Sequence, residues 1–481
     1  MKTLQGLEPA SVFGFFEDIC NIPHISYHEK ALSDYCVNFA KERDLYYEQD
    51  EMGNVIIIGE ATPGYEEVSP IMIQGHLDMV GDKIPSCPID MEIEAIKVMV
   101  DGDYLTADGT TLGGDDGIAV AYGLALLDAK DIPHPRLEVV LTVSEEVGLE
   151  GATAIDLSCC KAKRLLNIDS EEEGVFTAGC AGGLRADCRI PVETEVKNGL
   201  LCEIKTQGFL GGHSGIEIHK GRANGNTTMG RFFLFLKEKV AFDVISVVGG
   251  VKDNVIPKNV LAKVLILESD LDVLKREVIE FNRNMRVEFG VTDPDIQLVL
   301  EEKESAECKV LTKSSKEKAI TALVSMPNGV QTMSGDLPDL VETSLNMGVI
   351  RIDETEINLC FSVRSSIDSA KQFLSAKLRQ LTEALGGKIS YHGLYPGWPY
   401  ARESKLRDLC VKVYKEQYGE EPKIEVIHAG LECGILSSKI EGLDCISLGP
   451  NMYDVHTPDE KISIGSICRV WEFLKAVLAE K

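Results

Sequence analysis

Four short strings of the chain, and one histidine far downstream, combine residue types that bind divalent metal ions. They are Gly75-His76-Leu77-Asp78, Gly114-Asp115-Asp116-Gly117, Ser144-Glu145-Glu146-Val147-Gly148 and Asn167-Ile168-Asp169-Ser170, followed by His456. Histidine and carboxylate ligands without cysteine favour Zn²⁺, with Mn²⁺ or Co²⁺ as substitutes. Two such ions, roughly 3.5–4 Å apart, activate a bridging water and stabilise the oxyanion formed from an amide. The residue types therefore predict a two-metal hydrolase site.

The number of candidate ligands fits a pair of ions that share one carboxylate. Each ion then needs one histidine and one carboxylate of its own, and a further carboxylate bridges the two. The candidates for these positions are His76, Asp115, Glu146, Asp169 and His456. A single histidine or a single acidic pair is more often structural, so the prediction depends on the combination and its placement.

Two neighbouring acidic residues have other roles in this interpretation. Asp78 follows His76 by two positions and is suited to hold the second ring nitrogen, which fixes the imidazole tautomer. Glu145 precedes Glu146 and is suited to take a proton from the bridging water and pass it to the leaving amine. The histidines outside these motifs are assigned to the core or the surface. Among them, His428 is the first candidate for a functional role.

Short apolar runs, typical of buried strands, end at or just before three of the strings and shortly before His456. They cover residues 71–73, 137–143, 165–168 and 446–448. The remaining string opens a helix, with Asp116 as a candidate cap. Because the carboxyl ends of strands in an open α/β sheet form the crevice where ligands bind, the strings are expected to converge there.

The chain has 481 residues, which exceeds one ordinary hydrophobic core. Residues 1–182 alternate strand and helix patterns, and 397–481 return to that pattern and supply His456. Between them, 183–396 interleave strands with amphipathic helices predicted at 226–239, 269–288, 313–325 and 370–385. We therefore predict an α/β fold: a catalytic domain with a mixed sheet flanked by helices, and an inserted α+β domain.

Composition excludes several classes of protein. The formal net charge of −28 argues against nucleic-acid binding, which needs clustered Lys and Arg. No signal-peptide core and no run of 18 apolar residues is found, so we expect neither a membrane span nor secretion. The 14 scattered cysteines are then expected to be free thiols in a reducing compartment, the cytoplasm.

At these strings the chain resembles the co-catalytic zinc metallopeptidases, which include carnosinases, aminoacylase, glutamate carboxypeptidase and succinyl-diaminopimelate desuccinylase. The similarity is greatest to the aminoacyl-histidine dipeptidase branch and covers essentially the whole chain. Further strings that carry it are Leu7-Glu8-Pro9, Ile22-Pro23-His24, Thr111-Leu112-Gly113, Gly211-Gly212-His213-Ser214-Gly215 and Val455-His456-Thr457-Pro458-Asp459-Glu460.

The resemblance implies a role for each residue of the predicted site. Asp115 would bridge the two ions and be followed by a cis peptide bond, and Glu145 would be the general base. The non-bridging ligands would be His76, Glu146, Asp169 and His456. The inserted region would be a lid that also carries the contact of a homodimer.

The resemblance also implies substrate-binding residues. His213 would point to the reacting carbonyl when the lid closes, and Asn254 and Arg364 would hold the substrate's C-terminal carboxylate. Glu432 would receive a substrate ammonium.

These expectations lead to a metal-dependent dipeptidase acting on Xaa-His, carnosine-like and other dipeptides. One alternative is an N-acyl amino acid amidohydrolase that uses the same site. Another is a non-catalytic peptide- or metal-binding homologue, against which Glu145 argues, because binding alone needs no general base.

Overall fold

A computed structural model of the chain describes residues 3–481. It divides into two compact units. The first comprises Met1–Cys180, Tyr400–Val426 and Leu431–Lys481, and the second comprises Ala181–Pro399 and Ile427–Gly430. None of the 14 cysteines, all of which lie within residues 3–481, forms a disulfide, as predicted. Among residues 3–481, no helix is both long and apolar enough to cross a membrane.

The helices and strands alternate along the chain. In chain order the helices are α1 (Ala10–Cys20), α2 (Lys30–Glu42), α3 (Gly114–Asp128), α4 (Glu150–Ala154), α5 (Gly225–Leu236), α6 (Leu271–Phe289), α7 (Lys313–Ser325), α8 (Asp368–Ala384), α9 (Lys405–Tyr418), α10 (Glu432–Lys439) and α11 (Ile464–Ala479). The strands are β1 (Tyr46–Gln49), β2 (Val55–Gly59), β3 (Ile71–His76), β4 (Val98–Asp101), β5 (Tyr104–Ala107), β6 (Leu137–Thr142), β7 (Arg164–Asn167), β8 (Val175–Cys180), β9 (Gly182–Pro191), β10 (Thr194–Gln207), β11 (Gly212–His213), β12 (Phe242–Gly249), β13 (Val255–Ile256), β14 (Val260–Ile266), β15 (Gln297–Leu311), β16 (Gly329–Met333), β17 (Val341–Ile352), β18 (Glu356–Ser365), β19 (Lys388–Tyr395), β20 (Lys423–Ile427), β21 (Asp444–Ser447), β22 (Met452–Tyr453) and β23 (Lys461–Ser463).

The main sheet of the first unit is mixed, and its parallel centre brings the predicted strings to one edge. Its strand order is β1-β2-β6-β3-β7-β21-β8-β20, and β6, β3, β7 and β21 are mutually parallel neighbours. His76 at the end of β3 lies opposite Thr142 at the end of β6. Gln74 lies opposite Asn167, where β7 ends. The strings that follow β3, β6 and β7 therefore start at the same edge of the sheet.

Helix α3 packs directly on this sheet and is buried on all sides. A side chain at Gly123 would approach Val139 of β6 at 2.8 Å, so the glycine allows close contact between helix and sheet. On another side Tyr122 stacks on Trp471 of α11 at a ring-centroid distance of 6.1 Å. A helix enclosed in this way needs apolar residues around its whole circumference, which explains its nearly continuous apolar sequence.

A smaller sheet of the first unit, with strand order β22-β23-β5-β4, lies beside the loops of the site. Strand β5 runs antiparallel to β23, with Leu105 opposite Ile462. The chain leaving β5 leads to α3 and Asp115, and the chain between β22 and β23 carries His456. One sheet therefore supports both loops.

The second unit is an α+β layer. Its sheet has the order β15-β10-β14-β12-β17-β18-β9-β19, with β16 paired to β17, and β11 and β13 form a separate pair. Helices α5 to α8 confirm the four amphipathic helices predicted for this region. At its boundary Gly182 approaches Gly397 so closely that a side chain on Gly182 would lie 2.4 Å from the Gly397 nitrogen.

Candidate active site

The carboxylate of Asp115 lies between two histidines. Its Oδ1 is 3.0 Å from Nε2 of His76, and its Oδ2 is 3.0 Å from Nε2 of His456. The two oxygens of one side chain thus face two different imidazoles. This is the arrangement needed for a carboxylate that bridges two cations.

Each histidine also has a carboxylate of its own. Glu146 Oε1 lies 2.8 Å from His456 Nε2, and Asp169 Oδ1 lies 3.7 Å from His76 Nε2. We refer to His76, Asp169 and Asp115 as the His76 group, and to His456, Glu146 and Asp115 as the His456 group. The structure brings together all five residues predicted as ligands.

The backbone around Asp115 is irregular. Gly113 has φ of +71°, and Asp115 and Asp116 have non-helical angles although they lie within α3. The Asp115–Asp116 peptide bond is cis, as the resemblance implied. Regular helical geometry begins after Asp116, so Asp115 and Asp116 are not constrained to the side-chain directions of a regular helix.

Asp78 holds both the first histidine and the loop of the predicted base. His76 Nδ1 is 2.9 Å from the Asp78 carbonyl oxygen and 3.5 Å from its carboxylate, so the closer acceptor is the main chain. The Asp78 carboxylate accepts the N–H groups of Glu145 and Glu146 at 2.9 and 3.2 Å. With Nδ1 donating to the Asp78 carbonyl, Nε2 is the nitrogen available to a metal ion, and without a metal ion a proton on Nε2 donates to Asp115.

Glu145 is half-buried at the start of the loop that follows β6. Burial raises the pKa of its carboxyl group well above the usual range, although the charge of His76 lowers it. A carboxylate with a raised pKa binds a proton more strongly, which suits a general base working near neutral pH.

The cluster as a whole carries an excess of negative charge. Burial would lower the pKa of His76, but Asp115, Asp169 and Asp78 outweigh it and raise that pKa well above its usual value. Contacts with Asp115 and Glu146 raise the pKa of His456 to about 11. Burial raises the pKa of Asp169 to about 6. The raised pKa values show that this cluster of nitrogen and oxygen ligands is stabilised by positive charge. Divalent metal ions can supply that charge, and they displace the bound protons when they bind.

Asp116 is a buried acidic residue for which sequence analysis assigned only a helix cap. Its Oδ2 accepts the backbone N–H of His76 at 3.2 Å. Its Oδ1 is buried and has no hydrogen-bond partner within residues 3–481. Ligand atoms of His76, Asp116 and Asp169 lie within 4.8 Å of one another, so Asp116 is a further oxygen donor beside the His76 group. In the sequence, only its position next to Asp115 indicated that Asp116 could belong to the site.

Glu432 lies fully buried under the strand ends of the main sheet. One carboxylate oxygen accepts hydrogen bonds from the amide of Gln74 on β3 and, at 2.7 Å, from the hydroxyl of Thr142 on β6. The other oxygen has no partner in the described part of the chain. Burial raises the pKa of Glu432 to about 7. A cation would satisfy the remaining oxygen.

In the second unit, His213 has a defined tautomer. Its Nδ1 accepts the backbone N–H groups of Gly215 and Ile216 at 3.3 and 3.2 Å. Burial lowers the pKa of His213, and the nearby charge of Arg364 lowers it further. The neutral ring therefore carries its proton on Nε2, where it can be donated. Strand β13, which pairs with β11, begins directly after Asn254, and the Asn254 carbonyl accepts the Ser214 N–H at 2.8 Å.

Arg364 and His428 belong to the same cluster of the second unit. Arg364 is only 8% exposed and donates from Nη1 to the hydroxyl of Tyr395 at 3.1 Å, while its Nε has no partner within residues 3–481. Ser344, opposite Arg364 in the sheet, lies with its hydroxyl 2.7 Å from His428 Nε2. Burial, with the charge of Arg364, lowers the pKa of His428 to about 3. Arg364 thus provides a buried positive charge beside two neutral imidazoles.

Two relatives that match nearly the whole chain are named as dipeptidases. Cytosol non-specific dipeptidase of Escherichia coli strain K12 is 36% identical over 482 aligned residues, which cover 100% of this chain and 99% of the relative. The crystal structure of aminoacylhistidine dipeptidase from Vibrio alginolyticus matches with a TM-score of 0.94 and 36% identity, covering 99% of this chain and 97% of that one. Aminopeptidase PepT from Bacillus cereus ATCC 10987 shares the fold, with a TM-score of 0.57, 16% identity and 98% coverage of both chains.

The family follows from the length of the match. The model of peptidase family M20/M25/M40 matches residues 72–480, a span that contains every site residue predicted from the sequence. The expected family and the expected α/β fold are thereby confirmed. This chain belongs to peptidase family M20/M25/M40.

Proposed function

We propose that this chain is a cytoplasmic, metal-dependent dipeptidase that hydrolyses Xaa-His, carnosine-like and other dipeptides. The observation that carries the proposal is the Asp115 carboxylate, whose two oxygens face His76 and His456 at 3.0 Å each. Glu145, beside this centre, supplies the general base that a binding protein would not need. Two full-length relatives with dipeptidase names support the substrate class.

Two divalent ions per chain are part of this proposal, with Zn²⁺ favoured and Mn²⁺ or Co²⁺ as substitutes. His76 and Asp169 would hold one ion, His456 and Glu146 the other, and Asp115 would bind both. When bound, such a pair lowers the pKa of a water molecule and polarises the scissile carbonyl. The donor set contains only nitrogen and oxygen, which matches this choice of metals.

Glu145 moves the proton. It takes a proton from the attacking water and delivers it to the leaving amine, because its burial raises its affinity for a proton. Asp78 orients this base by accepting the Glu145 N–H at 2.9 Å. The same Asp78 holds the tautomer of His76, so base and ligand share one support.

Four residues bind the substrate in this proposal. His213 donates its Nε2 proton to the carbonyl oxygen as negative charge develops there. Arg364 and Asn254 hold the free C-terminal carboxylate, for which the unpartnered Nε of Arg364 is suited. Glu432 receives the substrate ammonium through its unpartnered oxygen. Binding of both termini explains a preference for dipeptides.

The second unit, predicted from the sequence as the region 183–396, would act as a lid and carry a homodimer contact. This part of the proposal rests on the resemblance to the family. In such a dimer His213 would act on the site of the partner subunit. Closing of a lid over bound substrate excludes water and brings the hydrogen-bond donor His213 to the reacting carbonyl.

The terminal-recognition proposal predicts substrate preference. An Xaa-His dipeptide should be hydrolysed faster than its C-terminally amidated or N-acetylated form, and acetylated amino acids should be poor substrates. Arg364→Ala should raise KM for the free dipeptide but change KM for the amidated one little, because the lost contact is to the carboxylate. Arg351→Ala, at an arginine whose side chain is 72% exposed, is the control. Faster turnover of acetylated amino acids would favour the amidohydrolase alternative.

The general-base proposal predicts a loss of turnover without loss of metal. Glu145→Gln keeps the shape of the side chain but cannot accept a proton, so kcat should fall by about 10²–10⁴-fold. Elemental analysis should still find two ions per chain. Glu150→Gln, at an exposed glutamate in the same region, should retain activity. A Glu145→Gln enzyme that stays active, or loses its metals, would contradict the assigned role.

The lid proposal predicts complementation between inactive chains. His213→Ala should lower kcat strongly while both metals remain bound, whereas His219→Ala, at an exposed histidine nearby, should not. Mixing Glu145→Gln chains with His213→Ala chains should restore activity, because one site of each heterodimer then has an intact base and the partner's histidine. Mixtures that form heterodimers but remain inactive would show that His213 serves its own chain.

The metal proposal predicts a stoichiometry that changes with the ligands. Wild-type protein should bind two ions per chain, lose activity with chelator and regain it with Zn²⁺ or Co²⁺. His456→Ala should reduce the content to one tightly bound ion, because the His76 group is intact. His392→Ala, at a half-exposed histidine of the second unit, should keep two. Fully active wild-type protein with a single ion would refute the two-metal site.

A further inference from the structure

Glu460 is a buried carboxylate that the mechanism above does not use. It is 3% exposed. Its Oε2 accepts the backbone N–H groups of Leu112 and Gly113 at 2.8 and 3.2 Å, and its Oε1 accepts that of Gly114 at 2.8 Å. Three consecutive backbone N–H groups thus converge on one side chain. Such a concave set of amides binds an anion, and here the anion is part of the chain.

The contact between Glu460 and these amides joins two loops. One carries Asp115, the ligand common to both groups, and the other carries His456. Gly114 directly precedes Asp115, and His456 lies four residues before Glu460. A side chain on Gly114 would lie 3.2 Å from Glu460 Oε1, so the loop has a glycine where the carboxylate approaches. The carboxylate therefore sets how far the Asp115 loop stands from the loop of His456.

Glu460 is itself anchored to the small sheet. Its carbonyl accepts the hydroxyl of Thr106 on β5 at 3.0 Å, and strand β23, which follows it, pairs with β5. The main chain of Glu460 is thus bound to Thr106, just before the 108–114 segment. Its side chain binds the amides at the end of that segment. The position of Gly114 is fixed relative to that sheet.

The His456 group needs this support more than the His76 group does. The His76 side chain is 1% exposed and belongs to the central strand β3. The His456 side chain is 46% exposed, and the residue lies between β22 and β23 with a left-handed φ of +64°. A ligand on an exposed loop is placed only as accurately as that loop is held.

We propose that Glu460 is a positioning residue that holds Asp115 and His456 at the separation required to bind the second metal ion. The proposal rests on the two-metal function above. A carboxylate is needed because it offers acceptors on both oxygens. The amide of glutamine has one acceptor oxygen and would turn an N–H₂ donor toward a backbone N–H.

The test compares two buried glutamates that each hold backbone amides. Glu138, on β6, is 0% exposed and accepts the N–H groups of Lys161 and Ala162. It stands near the start of β6, whereas the site lies beyond the end of that strand. Glu138→Gln therefore reproduces the loss of a buried anchor without touching the Asp115 loop. Thermal unfolding of both metal-free variants measures the loss of stability.

Titration with Co²⁺, followed by visible absorption and by competition with a chromophoric chelator, provides the readout. Wild-type protein should bind two ions. Glu460→Gln should bind the first with near wild-type affinity and the second roughly 10–100-fold more weakly, as is typical when a residue behind a ligand is lost. Excess Co²⁺ should restore part of its kcat. Glu138→Gln should bind two ions with wild-type affinities even if it melts earlier.

The outcomes separate this inference from the proposed function. If wild-type protein binds fewer than two ions, the two-metal function fails. If wild type binds two and Glu460→Gln also binds two with unchanged affinities, the positioning role is refuted. Equal weakening in Glu138→Gln refutes it as well, because the effect would then follow general stability. Should Glu460→Gln not fold, Glu460→Asp, which is one methylene too short to reach all three amides, is judged by the same criteria.

Discussion

The contact between the Asp115 carboxylate and two histidines is the constraint on which the rest of the structure depends. His456 reaches Asp115 from a position 341 residues away in the chain, and His76 from 39 residues away. Around them lie Glu145, Glu146 and Asp169, all in a largely buried space. Like charges in such a space repel strongly unless cations compensate them. The fold can hold this cluster because protons on the imidazoles, or metal ions in their place, supply the positive charge.

Much of this site could be predicted from the sequence because its residues follow strands. Parallel strands in register start and end together, so residues after β3, β6 and β7 must meet, as the pairing of His76 with Thr142 illustrates. Apolar runs mark such strands without knowledge of the fold. The amphipathic helices of the second unit were predictable for the same reason, since a helix that covers a sheet repeats its apolar residues with a period of 3.6.

The supporting contacts could not be predicted in this way. Glu460 was part of a string that carried the family resemblance, yet its partners are backbone amides up to 348 residues away. Backbone N–H groups have no signature in a sequence, because every residue except proline has one. Asp78 shows the same limit: the sequence placed it near the ring of His76, but only the structure reveals that its carboxylate also holds the Glu145 and Glu146 amides.

The two histidine ligands are therefore supported by different means. The His76 group belongs to the main sheet, and its histidine and the catalytic base share Asp78, which is 1% exposed. Ligand geometry and base geometry cannot be varied independently there, because moving Asp78 moves both. In the His456 group, Glu146 also depends on Asp78, which accepts its N–H at 3.2 Å. His456 itself lies on the loop between β22 and β23 of the small sheet. A change confined to the loop of His456 can therefore alter that ligand without moving Asp78, whereas a change at Asp78 affects the base and ligands of both groups.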